Sequence, residues 1–136
     1  MTDIAQRNAR NRRAGARWQT VVRDGLREYG FDIERLALTG AEDEGDHVVR
    51  LDTPVLPARR FVVIEAKAGN LHAADFVRQA GEEAAHFAFH RGLSLAEVTG
   101  VAVVKRRGAN WRDAYVLTTL RDYFGLDQPA SAPGRR

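Results

Sequence analysis

Glu65 and Lys67 stand two residues apart at the end of an apolar run, Phe61-Val62-Val63-Ile64. If 61–67 is a strand, its side chains alternate, so Glu65 and Lys67 share one face while Ile64 and Ala66 point to the other. Charged groups at the end of so apolar a segment cost several kcal/mol if buried without compensation, on the order estimated for charge burial (~2–7 kcal/mol for a polar group and more for an ion). A partner, a metal ion or exposure at the strand end must supply that compensation. For the fragment Glu65-Ala66-Lys67 alone, a salt bridge at a solvated edge is a sufficient account.

The preceding segment changes this balance. Pro54-Val55-Leu56-Pro57 reads as a turn, and folding the chain about its centre places Leu51 opposite Arg60 and Asp46 opposite Glu65. Directly opposed residues of an antiparallel pair lie on one face, about 5 Å apart. Two carboxylates that close repel one another unless a cation joins them. Mg²⁺ suits such a pair, because it takes one or two carboxylates and fills its remaining positions with water and phosphate oxygens. Lys67, on the same face, is then placed to orient an attacking water or to stabilise charge developing on phosphorus.

The elements needed to hold these residues follow from periodicity. Trp18, Val21, Val22, Leu26 and Tyr29 recur at helical spacing over about 14–29, and Gly30 is a suitable stop. Strands are expected over 31–38, 47–51 and 61–66, with the glycine-rich acidic loop Thr39-Gly40-Ala41-Glu42-Asp43-Glu44-Gly45 before the second. A long helix over 73–91 carries Phe76, Ala80, Ala84 and Phe87 along one stripe. A buried strand over 98–104, a basic turn and a strand over 114–118 come next, with a short helix around 120–124 closing the unit. The order α-β-β-β-α-β-β predicts an α/β protein, a mixed β-sheet flanked by helices. The helix between the third and fourth strands is a crossover, which makes those two strands parallel.

With 136 residues the chain has the length of one domain with a real core. It contains no cysteine, which excludes a disulfide frame, a thiolate metal site and a cysteine nucleophile. Mean hydropathy is −0.40, no apolar run is long enough for a membrane helix, and no secretory signal pattern opens the chain, so a cytoplasmic protein is expected. The net charge of +3 is modest, but its distribution is uneven. Arg7, Arg10, Arg12, Arg13 and Arg17 crowd the first turns of the chain, with Asp3 the one acid among them. Lys105, Arg106 and Arg107 form a second cluster, and Arg135 and Arg136 a third. Guanidinium groups present a planar fork that matches phosphate, so these clusters suit nucleic acid. Residues 1–13 read as a flexible basic arm, 14–127 as the folded domain and 128–136 as a disordered tail.

Gly45-Asp46 followed by Ile64-Glu65-Ala66-Lys67 on the next strand resembles the signature of PD-(D/E)xK nucleases. The likeness is nearest to the archaeal-type and phage-type Holliday junction resolvases and extends through most of the chain. Arg13-Ala14-Gly15-Ala16-Arg17-Trp18 is similar to the opening of their first helix, and Arg35 with Thr39-Gly40 to the loop before the aspartate. Gln79 resembles the glutamine of their second helix, and Val103-Val104-Lys105-Arg106-Arg107-Gly108 their strand and basic turn. The resemblance implies a restriction-endonuclease-like fold and a homodimer that hydrolyses phosphodiesters in branched double-stranded DNA. It implies Mg²⁺, with Mn²⁺ able to substitute, held by Asp46, Glu65 and the Ala66 carbonyl. Lys67 would position water, with Gln79, Thr39 and Arg35 supporting water or phosphate. Arg10, Arg12, Arg13, Arg17, Lys105, Arg106 and Arg107 would contact DNA. One departure stands out: where the family carries a glutamate on the first helix, this chain has Gln19, whose amide cannot act as a base. That departure puts a second metal site in doubt and is the one hint of a non-catalytic DNA-binding relative; the same chemistry on another substrate, in a recombination exonuclease or a restriction-like cutter, is a separate alternative.

Other clusters have simpler accounts. Glu42, Asp43 and Glu44 read as a solvated acidic loop. His86 and His90 have a zinc-compatible helical spacing, but the sequence offers no cysteine or nearby third ligand. Trp18 and Trp111 are expected in the core rather than as stacking platforms for bases.

Overall fold

The computed structural model describes residues 3–36, 45–55 and 59–126. Thr39 with most of its loop, the centre of the turn after Val55 and the expected tail 128–136 lie outside the described residues. The chain runs α1 (Asp3–Glu28), β1 (Asp32–Arg35), β2 (His47–Val55), β3 (Arg59–Lys67), α2 (Ala73–Arg91), β4 (Val98–Val104), β5 (Tyr115–Leu117) and α3 (Leu120–Phe124). Short 3₁₀ turns, Leu95–Glu97 and Trp111–Asp113, precede β4 and β5 and add to the expected order, while α3 is the short closing helix expected around 120–124.

The strands form one mixed sheet in the order β1-β2-β3-β4-β5. β3 and β4 pair in parallel, as the intervening helix requires, and the other neighbours are antiparallel. The expected register holds near the site: His47 pairs with Ile64, Val48 with Val63, Val49 with Val62 and Arg50 with Phe61. It does not hold out to the turn. The ladder shifts between Arg50 and Val55, and Val55 pairs with Arg59, so the expected Leu51–Arg60 pair is not part of it. Pro54 has no N–H to give the ladder, which is where such a shift is tolerated.

Each sheet face is closed by a helix. On one side α1 lays Trp18 and Val22 against Ile33, Val49, Ile64, Ala66, Val101 and Val103. The Trp18 indole N–H donates to the Val103 carbonyl at 3.0 Å, which fixes the helix along the sheet. Trp111 packs at the edge of this cluster, so both tryptophans are structural. On the other side α2 buries Ala84, Phe87 and Ala88 on Val48, Val63 and Val98, and Ala80 on Ala102 and Val104. The helix comes so close that a Cβ on Gly100 would lie 2.1 Å from the Ala80 carbonyl oxygen. Only glycine permits that approach of helix to strand.

The first helix is longer than its apolar spacing indicates. α1 starts at Asp3 rather than near Ala14, so the described part of the supposed flexible arm is helical. Ala5, Ala9, Gln6 and the four arginines of this stretch favour helix without needing core contacts. Its residues from Asp3 to Arg13 are almost all exposed and carry Arg7, Arg10, Arg12 and Arg13 on the extension. The first strand is shorter than expected, Asp32–Arg35, and the Leu36 N–H continues its pairing with a hydrogen bond to the Asp46 carbonyl at 2.9 Å. No helix among the described residues is long and apolar enough to cross a membrane.

Candidate active site

The site forms where β2 begins and β3 ends. Gly45 has φ of +97°, a left-handed conformation open to glycine, and it turns the chain into β2 just before Asp46. The Asp46 N–H donates to the Ile64 carbonyl at 3.0 Å, which extends the β2–β3 pairing by one residue. One Asp46 carboxylate oxygen, Oδ2, accepts the Ala66 N–H at 2.8 Å. The aspartate is therefore held by backbone on both its main chain and its side chain.

Glu65 is buried, 6% exposed, and shares a hydrogen bond with Asp46. Its carboxyl is pushed up to about 9, first by burial and then by the hydrogen bond to Asp46 and the charges of Asp46 and Glu83, with Lys67 acting in the opposite direction. Without a cation, burial and the neighbouring Asp46 favour the protonated form of Glu65. Gln79, projecting from α2, bridges Glu65 and Lys67 on β3. Its Nε2 donates to Glu65 Oε2 at 2.9 Å, and its Oε1 accepts from Lys67 Nζ at 2.8 Å. Lys67 Nζ also lies 3.5 Å from Glu65 Oε2 and 5.3 Å from the centre of the Phe76 ring. The strand alternation expected from sequence is met: Glu65 and Lys67 turn toward α2, and Ile64 and Ala66 join the core beneath α1.

The structure thus brings together Asp46, Glu65, Lys67 and Gln79. The basic turn lies near them. Lys105 N–H donates to the Lys67 carbonyl at 2.9 Å, and Lys105, Arg106 and Arg107 line an open cleft of about 680 Å³ with Ala14, Asn70 and Tyr115. The Arg106 guanidinium sits 5.0 Å from the Tyr115 ring centre and donates to the Asp113 carbonyl. Arg10, Arg12, Arg13 and Arg17 are exposed or partly exposed on α1, and Arg35 is exposed on β1 directly opposite His47. Thr39 lies outside the described residues.

Two buried polar residues that sequence reasoning did not single out adjoin this site. Glu83 is 3% exposed on the sheet-facing side of α2, one turn beyond Gln79, and its charge adds to the upward push on Glu65. Its spacing of four from Gln79 was the available signal. His47 is fully buried on the α1 side, with Nε2 3.0 Å from the Gln19 carbonyl oxygen, and burial holds its pKa down. A histidine next to the aspartate on a strand is unremarkable in sequence, and only the packing of α1 over β2 gives it a setting.

Among the described residues no group of three or more His, Cys, Asp or Glu side chains meets in a ligand geometry. The donors at hand are a carboxylate pair, Asp46 and Glu65, all oxygen, which is the set a hard divalent ion takes while keeping water in its other positions. The raised Glu65 carboxyl fits such an ion, since a bound cation offsets the cost of ionising it. Comparison with family models, curated proteins and solved structures finds no match for this chain.

Proposed function

We propose that this protein is a Mg²⁺-dependent structure-selective DNA endonuclease of the PD-(D/E)xK kind, with a restriction-endonuclease-like fold, acting on four-way or otherwise branched DNA. The observation that carries this reading is the meeting of Asp46 and Glu65 across β2 and β3, with Lys67 and Gln79 hydrogen-bonded beside them. An isolated salt bridge does not account for a glutamate whose ionisation is opposed first by burial and then by the adjacent Asp46.

In this reading Asp46, Glu65 and the Ala66 carbonyl hold the metal, which when bound lowers the pKa of its water and stabilises charge on the phosphoryl oxygens. Mn²⁺ would serve in its place. Gln79 holds Lys67 Nζ in position through its Oε1, so the ammonium faces the site rather than bulk solvent. Lys67 then orients the attacking water and offsets negative charge in the transition state. The cleft beside Lys105, Arg106 and Arg107 receives the DNA backbone, with the arginines of α1 extending the positive surface. A homodimer belongs to the same reading, because two symmetric cuts across a four-way junction need two active centres.

A second reading has one observation in its favour. Gln19 presents an amide where the resembled family carries a carboxylate, which fits a DNA-binding relative without catalysis. One experiment separates the readings: incubation of labelled four-way junction, duplex and single strand with Mg²⁺, with and without EDTA, using wild type, Glu65→Gln and Lys67→Ala. The endonuclease reading expects EDTA-sensitive cleavage of the junction by wild type and none by either variant, with junction affinity kept within about tenfold. Junction binding without cleavage by wild type favours the second reading. Cleavage by either variant at the wild-type rate refutes the site.

A further inference from the structure

A small polar pocket of about 70 Å³ opens on the α1 side of the sheet, lined by Ala16, Gln19, Thr20, Arg23, Arg35 and His47. His47 is one of these residues and is fully buried. Its Nε2 faces the Gln19 carbonyl oxygen at 3.0 Å, so Nε2 carries the ring proton, and Nδ1 is left as an acceptor with no hydrogen-bond partner among the described residues. A buried polar atom without a partner costs about 1–3 kcal/mol, so something outside the described chain is expected to satisfy it. Arg35 is paired with His47 across β1 and β2, which places both side chains on one face. Arg23 comes from α1, one turn beyond Gln19, with its side chain 22% exposed and its Nε on the exposed Asp24 at 3.2 Å. Asp46 is the acidic group whose charge reaches His47 from β2, and Arg23 and Arg35 oppose it.

The geometry points to a phosphate subsite in this pocket, on the opposite face of the sheet from the carboxylate pair. An occupant must bring acceptors for two guanidinium groups and one donor for His47 Nδ1. A phosphate group meets both demands when its oxygens take the arginine N–H groups and its own hydroxyl or a bound water donates to Nδ1. The volume exceeds the ~30 Å³ share of one water and is too small for a nucleobase. Thr20 Oγ1 already donates to the Ala16 carbonyl at 3.2 Å, so it lines the pocket as an acceptor. The subsite rests on the nuclease reading and deepens it by placing a backbone or terminal phosphate across the start of β2 from the cleavage centre, but its binding chemistry requires no metal.

The test is a titration in EDTA, which keeps it apart from any failure of catalysis. Inorganic phosphate is added to the full chain at constant ionic strength, and the ¹⁵N resonances of the His47 ring and the arginine Nε groups are followed. The expected result is a saturable shift of His47 Nδ1, with affinity lowered about ten- to hundredfold in Arg35→Gln and in Arg23→Gln, the effect typical of removing one charge-assisted hydrogen bond. Arg35 is exposed, so that variant keeps its fold, and its melting curve without phosphate checks this. Duplexes with 5′-phosphate and with 5′-hydroxyl ends then identify the source. An Arg35 dependence confined to the phosphorylated duplex assigns a terminal phosphate, and equal dependence on both assigns the backbone. Wild type and Arg35→Gln responding alike to every probe, or a His47 ring that does not respond, means the pocket holds water alone and overturns the proposal.

Discussion

Replacing Glu65 with glutamine should stabilise the metal-free protein while destroying its proposed activity. In the folded chain Glu65 is raised from 4.5 to about 9, so folding favours its protonated form. The sign follows directly: stability from this group is fully present below about pH 4.5 and is lost as pH rises toward 9, because the unfolded chain ionises the carboxyl freely. At ~1.36 kcal/mol per pH unit the loss reaches about 4 kcal/mol by pH 7.5. Glutamine has no proton to lose and nearly the same shape. Its amide oxygen can accept from Gln79 Nε2, as Glu65 Oε2 does at 2.9 Å, and its NH₂ can donate to Asp46 in place of the carboxyl proton. Glu65→Gln should therefore melt close to wild type at pH 5 and well above it at pH 8 in EDTA. At roughly 3–5 °C per kcal/mol for a domain of this size, the gap is about 10 °C or more.

Mg²⁺ should reverse the ranking. It stabilises wild type by binding the folded state and leaves the variant unmoved. The assay is a set of thermal melts of both proteins from pH 5 to 9, with EDTA and with Mg²⁺. A gap that does not change with pH, or a variant less stable than wild type throughout, would refute the claim that Glu65 is held protonated against Asp46.

Asp46→Asn should bind Mn²⁺ at least tenfold more weakly than wild type in a calorimetric titration, and equal binding would rule out this carboxylate as a ligand. Removing residues before Ala14 takes away an exposed helical extension, so the melting temperature should stay within a few degrees while the salt dependence of DNA binding flattens by about one unit of log–log slope for each phosphate the arm no longer neutralises. An unchanged slope would locate the DNA surface elsewhere, at the cleft beside Lys105–Arg107. Gly100→Ala places a Cβ against the Ala80 carbonyl and should cost about 3 kcal/mol or more in urea unfolding, with a neutral result contradicting the close approach of α2 to β4.

The register of the hairpin was legible because it is arithmetic. A turn centred between Val55 and Leu56 sets every pair outward from it, and the pairs His47–Ile64 through Arg50–Phe61 obey that sum. The irregularity near Pro54 is absorbed before the site, which is why an assumption wrong at Leu51 and Arg60 still brought Asp46 to Glu65. Gln79 is reached through the family resemblance alone, and the burial of Ala80 and Ala84 against the sheet accounts for its meeting β3. The length of α1 could not be found that way. Its first turns bury almost nothing, so periodicity is silent there, and helix formation rests on propensity and continuity with the packed part from Trp18 onward.

His47 and Glu83 escaped for a different reason. Their roles depend on what the two helices press against the sheet, and neither has a sequence neighbour that announces it. His47 alternates with Asp46 along β2, so one strand end sends the aspartate to the carboxylate pair and the histidine under α1 to Arg23 and Arg35. The same alternation that placed Glu65 and Lys67 on one face thus divides anionic from cationic surroundings at adjacent residues. A divalent ion on one side of that strand end and a phosphate on the other would each offset charge that the chain leaves standing, and each would weaken the electrostatic opposition to the other's binding. If both sites exist, occupying one should tighten the other in a linked titration of Mn²⁺ and inorganic phosphate. Mutual independence of the two would place them in separate electrostatic environments, contrary to the joint action of Asp46 and Arg35 on His47.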